Sequence, residues 1–142
     1  TTLRLANDFE NIVAVKEASG NMDQIMKIIN NKPADFVVLS GDDALTLPMI
    51  HMGAEGVISV IGQSHPKDYS DMVSFALSGN KEIANQLHCK LYDFYGPLYE
   101  EGNPVGVKAC LDLLGICKSE VRFPLVKASL KIMQDLKHLF EQ

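Results

Sequence analysis

The chain has 142 residues, of which 46% are hydrophobic and 22% charged, a balance that suits one packed domain and excludes a disordered or collagen-like chain. Its formal net charge of −5 argues against nucleic acid or an anionic membrane surface as the main partner, because both call for a basic face. No apolar run approaches the ~20 residues that cross a bilayer, and no basic, apolar signal segment opens the sequence.

In chain order, Thr1–Asn7 reads as the tail of a helix, with Leu3 and Leu5 among short polar residues and no capping signal ahead of them. With no Met start either, the chain is expected to be part of a longer protein. Ile12–Val15 is a β-branched apolar run that ends at Lys16 and is followed by a Gly20-Asn21 loop. An apolar run with both faces hydrophobic predicts a parallel strand covered on each side. Asn21 can cap a helix whose apolar stripe is Met22, Ile25, Met26, Ile28 and Ile29, and Asn30-Asn31-Lys32-Pro33 ends it. Phe36–Leu39 repeats the strand signal and runs into the Ser40-Gly41-Asp42-Asp43 loop. Ala44–Met52 then reads as a helix kinked at Pro48, which lacks a backbone donor, and Gly53 closes it. Gly56–Val60 is a third strand.

Strands starting at Ile12, Phe36 and Gly56 therefore recur every 20–24 residues, each followed by a helix. This βα repeat predicts parallel pairing. After Pro66 the pattern is helical only: Asp68–Ser78, Lys81–Tyr95, Val105–Leu114 and Leu125–Phe140, divided by Gly79-Asn80, Gly102-Asn103-Pro104 and Pro124. The expected division is a partial barrel over 1–65 and a helical region over 66–142. Three strands cannot close a barrel, so either helices cover the sheet edges or another chain supplies the missing strands.

Lys16 is the residue with the most chemical content, because a charge at the end of a buried strand needs an explanation. Desolvation disfavours the ammonium, and a neutral amine at the C-terminal end of a parallel strand suits a Schiff-base nucleophile. The structural alternative is a lysine that snorkels or pairs with Glu17. Ser40-Gly41-Asp42-Asp43 offers two carboxylates for acid–base or metal chemistry, with capping of the next helix as its structural role. Ser19-Gly20-Asn21 offers an anion site or a turn and cap. Neither loop matches a phosphate-binding fingerprint.

His51, His65, His88 and His138 are scattered without metal-ligand spacing and read as surface or core residues. Cys89, Cys110 and Cys117 form no CxxC, which fits small buried thiols in a reducing, cytoplasmic setting. Cys110 and Cys117 are expected to pack in a core. Tyr92, Tyr95 and Tyr99 are expected to cluster near a helix end as packing residues with a polar tip. No metal or cofactor is implied.

Taken together, the motifs carry a resemblance. Val13-Ala14-Val15-Lys16-Glu17-Ala18-Ser19-Gly20-Asn21 resembles the Schiff-base strand and loop of the dihydrodipicolinate synthases. Leu39-Ser40-Gly41-Asp42-Asp43 is similar to that family's next strand and loop. Gly53-Ala54-Glu55-Gly56-Val57-Ile58-Ser59-Val60 is similar to its last barrel strand, and Asn103-Pro104 with Val107-Lys108 to its C-terminal helices. The related N-acetylneuraminate lyases share the lysine, but their pattern differs after it and at the last strand.

The resemblance implies the C-terminal portion of a (β/α)8 barrel, strands six to eight, with a helical appendage. It also implies a pyruvate-dependent class I aldolase-type lyase of lysine and diaminopimelate biosynthesis. In that reading Lys16 forms the imine with pyruvate, the enamine attacks aspartate semialdehyde, and the main-chain carbonyl of Ile58 contacts bound pyruvate. The family's relay tyrosine, its neighbouring threonine and the carboxylate-binding arginine lie on earlier strands that this chain does not carry. A homo-oligomer, by family a homotetramer, is expected. The alternatives are an N-acetylneuraminate lyase-like aldolase, or a non-catalytic half-barrel that self-associates through exposed strand edges.

Overall fold

The structure is a computed structural model and describes residues 1–141. Three parallel strands, β1 (Ala14–Glu17), β2 (Val37–Ser40) and β3 (Gly56–Val57), form one sheet in the order β1-β2-β3. Between and around them lie α1 (Thr2–Asp8), α2 (Met22–Asn31) and α3 (Thr46–His51). After a 3₁₀ turn at Ile61–Gln63 come α4 (Pro66–Leu77), α5 (Lys81–Tyr99), α6 (Val105–Leu113) and α7 (Leu130–Phe140). The expected βα repeat and parallel pairing are both present. The chain divides into two compact units, Thr1–Ser59 with Asp71–Asn85, and Val60–Ser70 with the residues from Gln86 onward.

In the first unit the register pairs Ala14 with Val37, Lys16 with Leu39, Glu17 with Ser40, Leu39 with Gly56 and Ser40 with Val57. Paired residues of a parallel ladder point to the same side and successive residues alternate. Val15, Glu17, Val38 and Ser40 therefore share one face. Val38 is fully buried in a core with Ile25, Ile28, Phe36, Met49 and Ala54, against which Val15, Met22 and Leu45 also pack. Burial of each large aliphatic side chain there stabilises the fold by about 1.5–3 kcal/mol. α2 enters this core as expected, with Asn21 Oδ1 accepting the Gln24 N–H at 3.1 Å as its N-cap.

The opposite face of the sheet departs from expectation. Ala14 and Lys16 are exposed, and Val37 and Leu39 are half-buried. Among the described residues β1 is thus covered on one side only, although its sequence reads as a two-sided strand.

Boundaries shifted for identifiable reasons. β1 and β2 run on to Glu17 and Ser40 because the Gly41 N–H donates to the Glu17 carbonyl at 2.8 Å and both polar side chains find partners on the helix side. β3 stops at Val57, since β2 has ended and one further bond, Ile58 N–H to the Ser40 carbonyl at 2.9 Å, is all that the ladder continues. Pro48 produces no mid-helix break. α3 begins only at Thr46, so Pro48 sits in its first turn, where backbone donors have no intrahelical partner. Gly53 (φ +110°) takes the left-handed conformation that turns the chain from α3 toward β3.

In the second unit α6 packs on α7 and on the 3₁₀ turn. The sequence places the last helix from Leu125, but it begins at Leu130. Ser129 is its N-cap, its Oγ accepting the Ile132 N–H at 3.3 Å while its own N–H donates to Glu101 Oε2 at 2.9 Å. α5 continues past Tyr95 to Tyr99 through Pro97. No helix is long and apolar enough to cross a membrane among the described residues.

Candidate active site

Lys16 stands at the C-terminal end of β1, on the exposed face, level with Leu39 of β2 and Gly56 of β3. The pairing with Glu17 weighed from the sequence does not occur. Glu17 points to the other face, where it is 6% exposed. Its Oε1 accepts the Ser19 N–H at 2.9 Å and a Gln24 side-chain N–H at 3.3 Å. A buried carboxylate held by two donors is a fixed anchor, so alternation along the strand sends Lys16 to the opposite side.

The loop after β2 is equally constrained. Ser40 Oγ donates to the Asp42 carbonyl at 2.8 Å and accepts the Asp42 N–H at 3.1 Å. Thr46 Oγ1 reaches both Ser40 Oγ (3.0 Å) and the Asp42 carbonyl (2.8 Å). Asp42 Oδ1 accepts the Leu45 N–H at 3.2 Å, so it stabilises the turn leading into α3 and does not cap that helix, as the sequence had predicted. Asp43 is buried. The closed network rigidifies the backbone at Gly41, which lies against the aliphatic stem of Lys16.

Ile58, 50% exposed, follows β3 by one residue and is fastened to the end of β2 through its N–H. The sheet thus brings the two sequence-predicted site residues to the same C-terminal end, two strand spacings or roughly 10 Å apart across the strands. Gly41 and Thr46 were missed as contributors to this end. Glycine in a loop signals a turn more often than clearance for a neighbour, and Thr46 carried no signal at all. A depression of about 450 Å³ lined by Phe9, Val13, Pro33 and Phe36 lies before β1 and β2, at the other end of the strands from Lys16.

Of the remaining candidates, His51 and His138 are exposed, and His65 and His88 pack against aromatic rings. In the second unit His65 stacks on Phe140 with ring centroids 5.4 Å apart, and contacts Phe94 at 4.3 Å. Its Nδ1 lies 3.0 Å from Ser64 Oγ. Burial holds its pKa below the usual histidine value, Asp68 opposing and Lys90 reinforcing the shift. His88 is likewise lowered by burial and lies 3.4 Å from the Tyr95 hydroxyl. Tyr92 and Tyr95, two of the three tyrosines expected to cluster, meet edge-to-face at 6.1 Å, with Tyr95 buried and Tyr92 exposed.

Of the cysteines only Cys110 is buried. Cys89 and Cys117 are exposed, against expectation, because Cys89 lies on the outer side of α5 and Cys117 falls beyond the end of α6. Burial pushes the Cys110 thiol up to about 11, against a smaller lowering by a hydrogen bond with Ser64, so it is not a ready nucleophile. Among the described residues no group of three or more His, Cys, Asp or Glu could hold a metal ion.

The sequence model of the dihydrodipicolinate synthetase family matches residues 1–142. The chain belongs to the dihydrodipicolinate synthetase family. The 4-hydroxy-tetrahydrodipicolinate synthase of Phocaeicola vulgatus is 46% identical over 142 residues, covering 100% of this chain and 48% of that protein. That of Azobacteroides pseudotrichonymphae is 53% identical over 126 residues, 89% of this chain and 43% of the relative. Among solved structures, dihydrodipicolinate synthase from Aquifex aeolicus superposes with a TM-score of 0.93 at 40% identity, covering 98% of this chain and 47% of that one. The chain spans about half the length of the curated relatives it matches, and its three-stranded parallel sheet with flanking helices is that portion of the family's α/β fold.

Proposed function

We propose that this chain carries the nucleophile of a pyruvate-dependent class I aldolase-type lyase, condensing pyruvate with aspartate semialdehyde in lysine and diaminopimelate biosynthesis. The observation that carries the reading is Lys16 itself: an exposed amine at the C-terminal end of a parallel strand, its stem against a hydrogen-bonded loop, its neighbouring carboxylate turned away. The C-terminal ends of parallel strands are where barrel enzymes place their chemistry. Family membership and relatives carrying the synthase name support the same reading.

In this account the chain contributes barrel strands six to eight. The Lys16 amine adds to the pyruvate carbonyl carbon and water leaves, giving an imine. Loss of a methyl proton gives the enamine, whose carbon forms the new bond to the aldehyde carbon of the semialdehyde; the adduct then cyclises as its amino group attacks the imine carbon and the lysine amine leaves. The Ile58 main-chain carbonyl is assigned to the bound pyruvate, which suits its position across the sheet from Lys16. A main-chain contact also explains why an aliphatic residue stands there. Efficient turnover belongs to the complete barrel, because positioned proton transfer is worth ~10²–10⁴-fold. The working form is proposed to be a cytoplasmic homo-oligomer.

The test supplies pyruvate with aspartate semialdehyde in one reaction and N-acetylneuraminate in another, using protein in which the barrel is complete. Condensation in the first, with no cleavage in the second and loss of the first on Lys16→Ala, is the expected result. Cleavage of N-acetylneuraminate would move the protein to the sister activity. A second reading is favoured by one feature, the open edge of β1, where Val13 is 62% exposed: a non-catalytic half-barrel that self-associates. Sizing chromatography at low micromolar concentration tests it, and a monomer excludes it.

A further inference from the structure

Glycine at position 41 is not demanded by its backbone. Gly20, Gly53, Gly56, Gly79, Gly102 and Gly115 have positive φ, and Gly41 does not, so an L side chain is conformationally permitted there. Space is what forbids one. A Cβ on Gly41 would stand 2.8 Å from Ala18 Cβ, 2.8 Å from Lys16 Cε and 3.0 Å from Lys16 Cγ. The first contact is with an atom fixed by the backbone. The other two are with the middle and far end of the lysine stem.

The backbone that brings Gly41 to this point cannot easily retreat. Its N–H is bonded to the Glu17 carbonyl, and Ser40, Asp42 and Thr46 close a hydrogen-bonded ring around the residues beside it.

We infer that Gly41 is a positioning residue for Lys16: its bare Cα is a shelf that lets the lysine stem lie across the loop and so selects the side-chain conformer that delivers the amine. This inference rests on the proposed role of Lys16 as the imine-forming lysine and names what aims it. A reacting group misplaced by about 1 Å loses on the order of 10²-fold in rate, and a methyl group on position 41 displaces the stem by a comparable distance.

The two kinds of clash separate by experiment. Gly41→Ala meets both Ala18 and Lys16. The double variant Ala18→Gly/Gly41→Ala relieves the clash with Ala18 and leaves the clash with the lysine. Thermal stability, the rate of borohydride trapping with pyruvate, and the ¹³C shifts of the Lys16 methylenes are read for the wild type, both variants and the Ala18→Gly control.

Gly41→Ala is expected to lose stability and to trap pyruvate on the order of 10²-fold more slowly. The double variant is expected to recover stability while trapping stays slow and the Lys16 methylene shifts stay displaced. Recovery of trapping together with stability would reduce Gly41 to a structural glycine and overturn the inference. If wild-type protein in which the barrel is complete traps no pyruvate, the proposed function fails and the methylene shifts still decide the question: unchanged shifts in Gly41→Ala refute the shelf, and displaced ones sustain it.

Discussion

The backbone N–H of Gly41 donates to the carbonyl oxygen of Glu17 at 2.8 Å, and this bond ties the strand that carries Lys16 to the loop against which Lys16 lies. The same residue, Glu17, anchors the loop that follows β1 through its carboxylate. One acidic residue beside Lys16 thus holds both flanking loops, from the face of the sheet opposite that lysine.

Removing that anchor is expected to destabilise the first unit. Glu17→Ala leaves the Ser19 N–H and the Gln24 side chain without their acceptor and costs about 1–3 kcal/mol. Glu17→Gln keeps a carbonyl acceptor and costs less. Urea denaturation checks this: the midpoint should fall in the order wild type, Gln, Ala, with the slope unchanged.

Gly106 and Gly96 predict different outcomes for the same substitution. A Cβ on Gly106 would strike the carbonyl oxygen, Cα and carbonyl carbon of Leu98, where α6 passes the backbone of α5. Gly106→Ala is expected to cost about 1–3 kcal/mol by overpacking. Gly96 lies within α5 directly before Pro97; the helix propensity that Gly96→Ala gains, up to about 1 kcal/mol, is offset by crowding of its Cβ against the proline ring, so this variant should melt close to the wild type. Paired thermal melts of the two variants check the difference.

The second unit should lose stability on mild acidification. Burial lowers the pKa of His65, with a smaller push the same way from Lys90 and an opposing one from Asp68, and burial lowers that of His88. A group whose folded pKa is depressed contributes its full stability above the unfolded value, near 6.5, and that contribution is lost as the pH falls through the folded value. Melting temperature should therefore drop between pH 7.5 and 5.5. His65→Phe, which keeps an aromatic ring between Phe94 and Phe140, should flatten the dependence, and an equally steep slope in that variant would contradict the assignment.

Much of the fold was legible because its signals are local. The apolar runs starting at Ile12 and Phe36, the Asn21 cap and the amphipathic spacing of α2 each act within a few residues; the cap and helix stand as read, and the strands form with their bounds moved to Ala14–Glu17 and Val37–Ser40. The strand ends were not legible. Glu17 and Ser40 look like loop residues until their partners, Gln24 and Thr46, are seen beside them, and those partners are contributed by the following helices. Lys16 was identified from its place at a strand end, but the exposed face that it occupies depends on which strands flank β1, a tertiary fact. Gly41 illustrates the limit most clearly. Its sequence context predicts a turn, whereas what excludes a side chain is Ala18 and the stem of Lys16, 23 and 25 positions earlier.

The most direct test of the central claim is borohydride trapping with pyruvate, followed by intact mass and peptide mapping. The account predicts one reduced pyruvyl adduct, located on Lys16 and absent from Lys16→Ala. An adduct that persists in Lys16→Ala, or maps to another lysine, would contradict it.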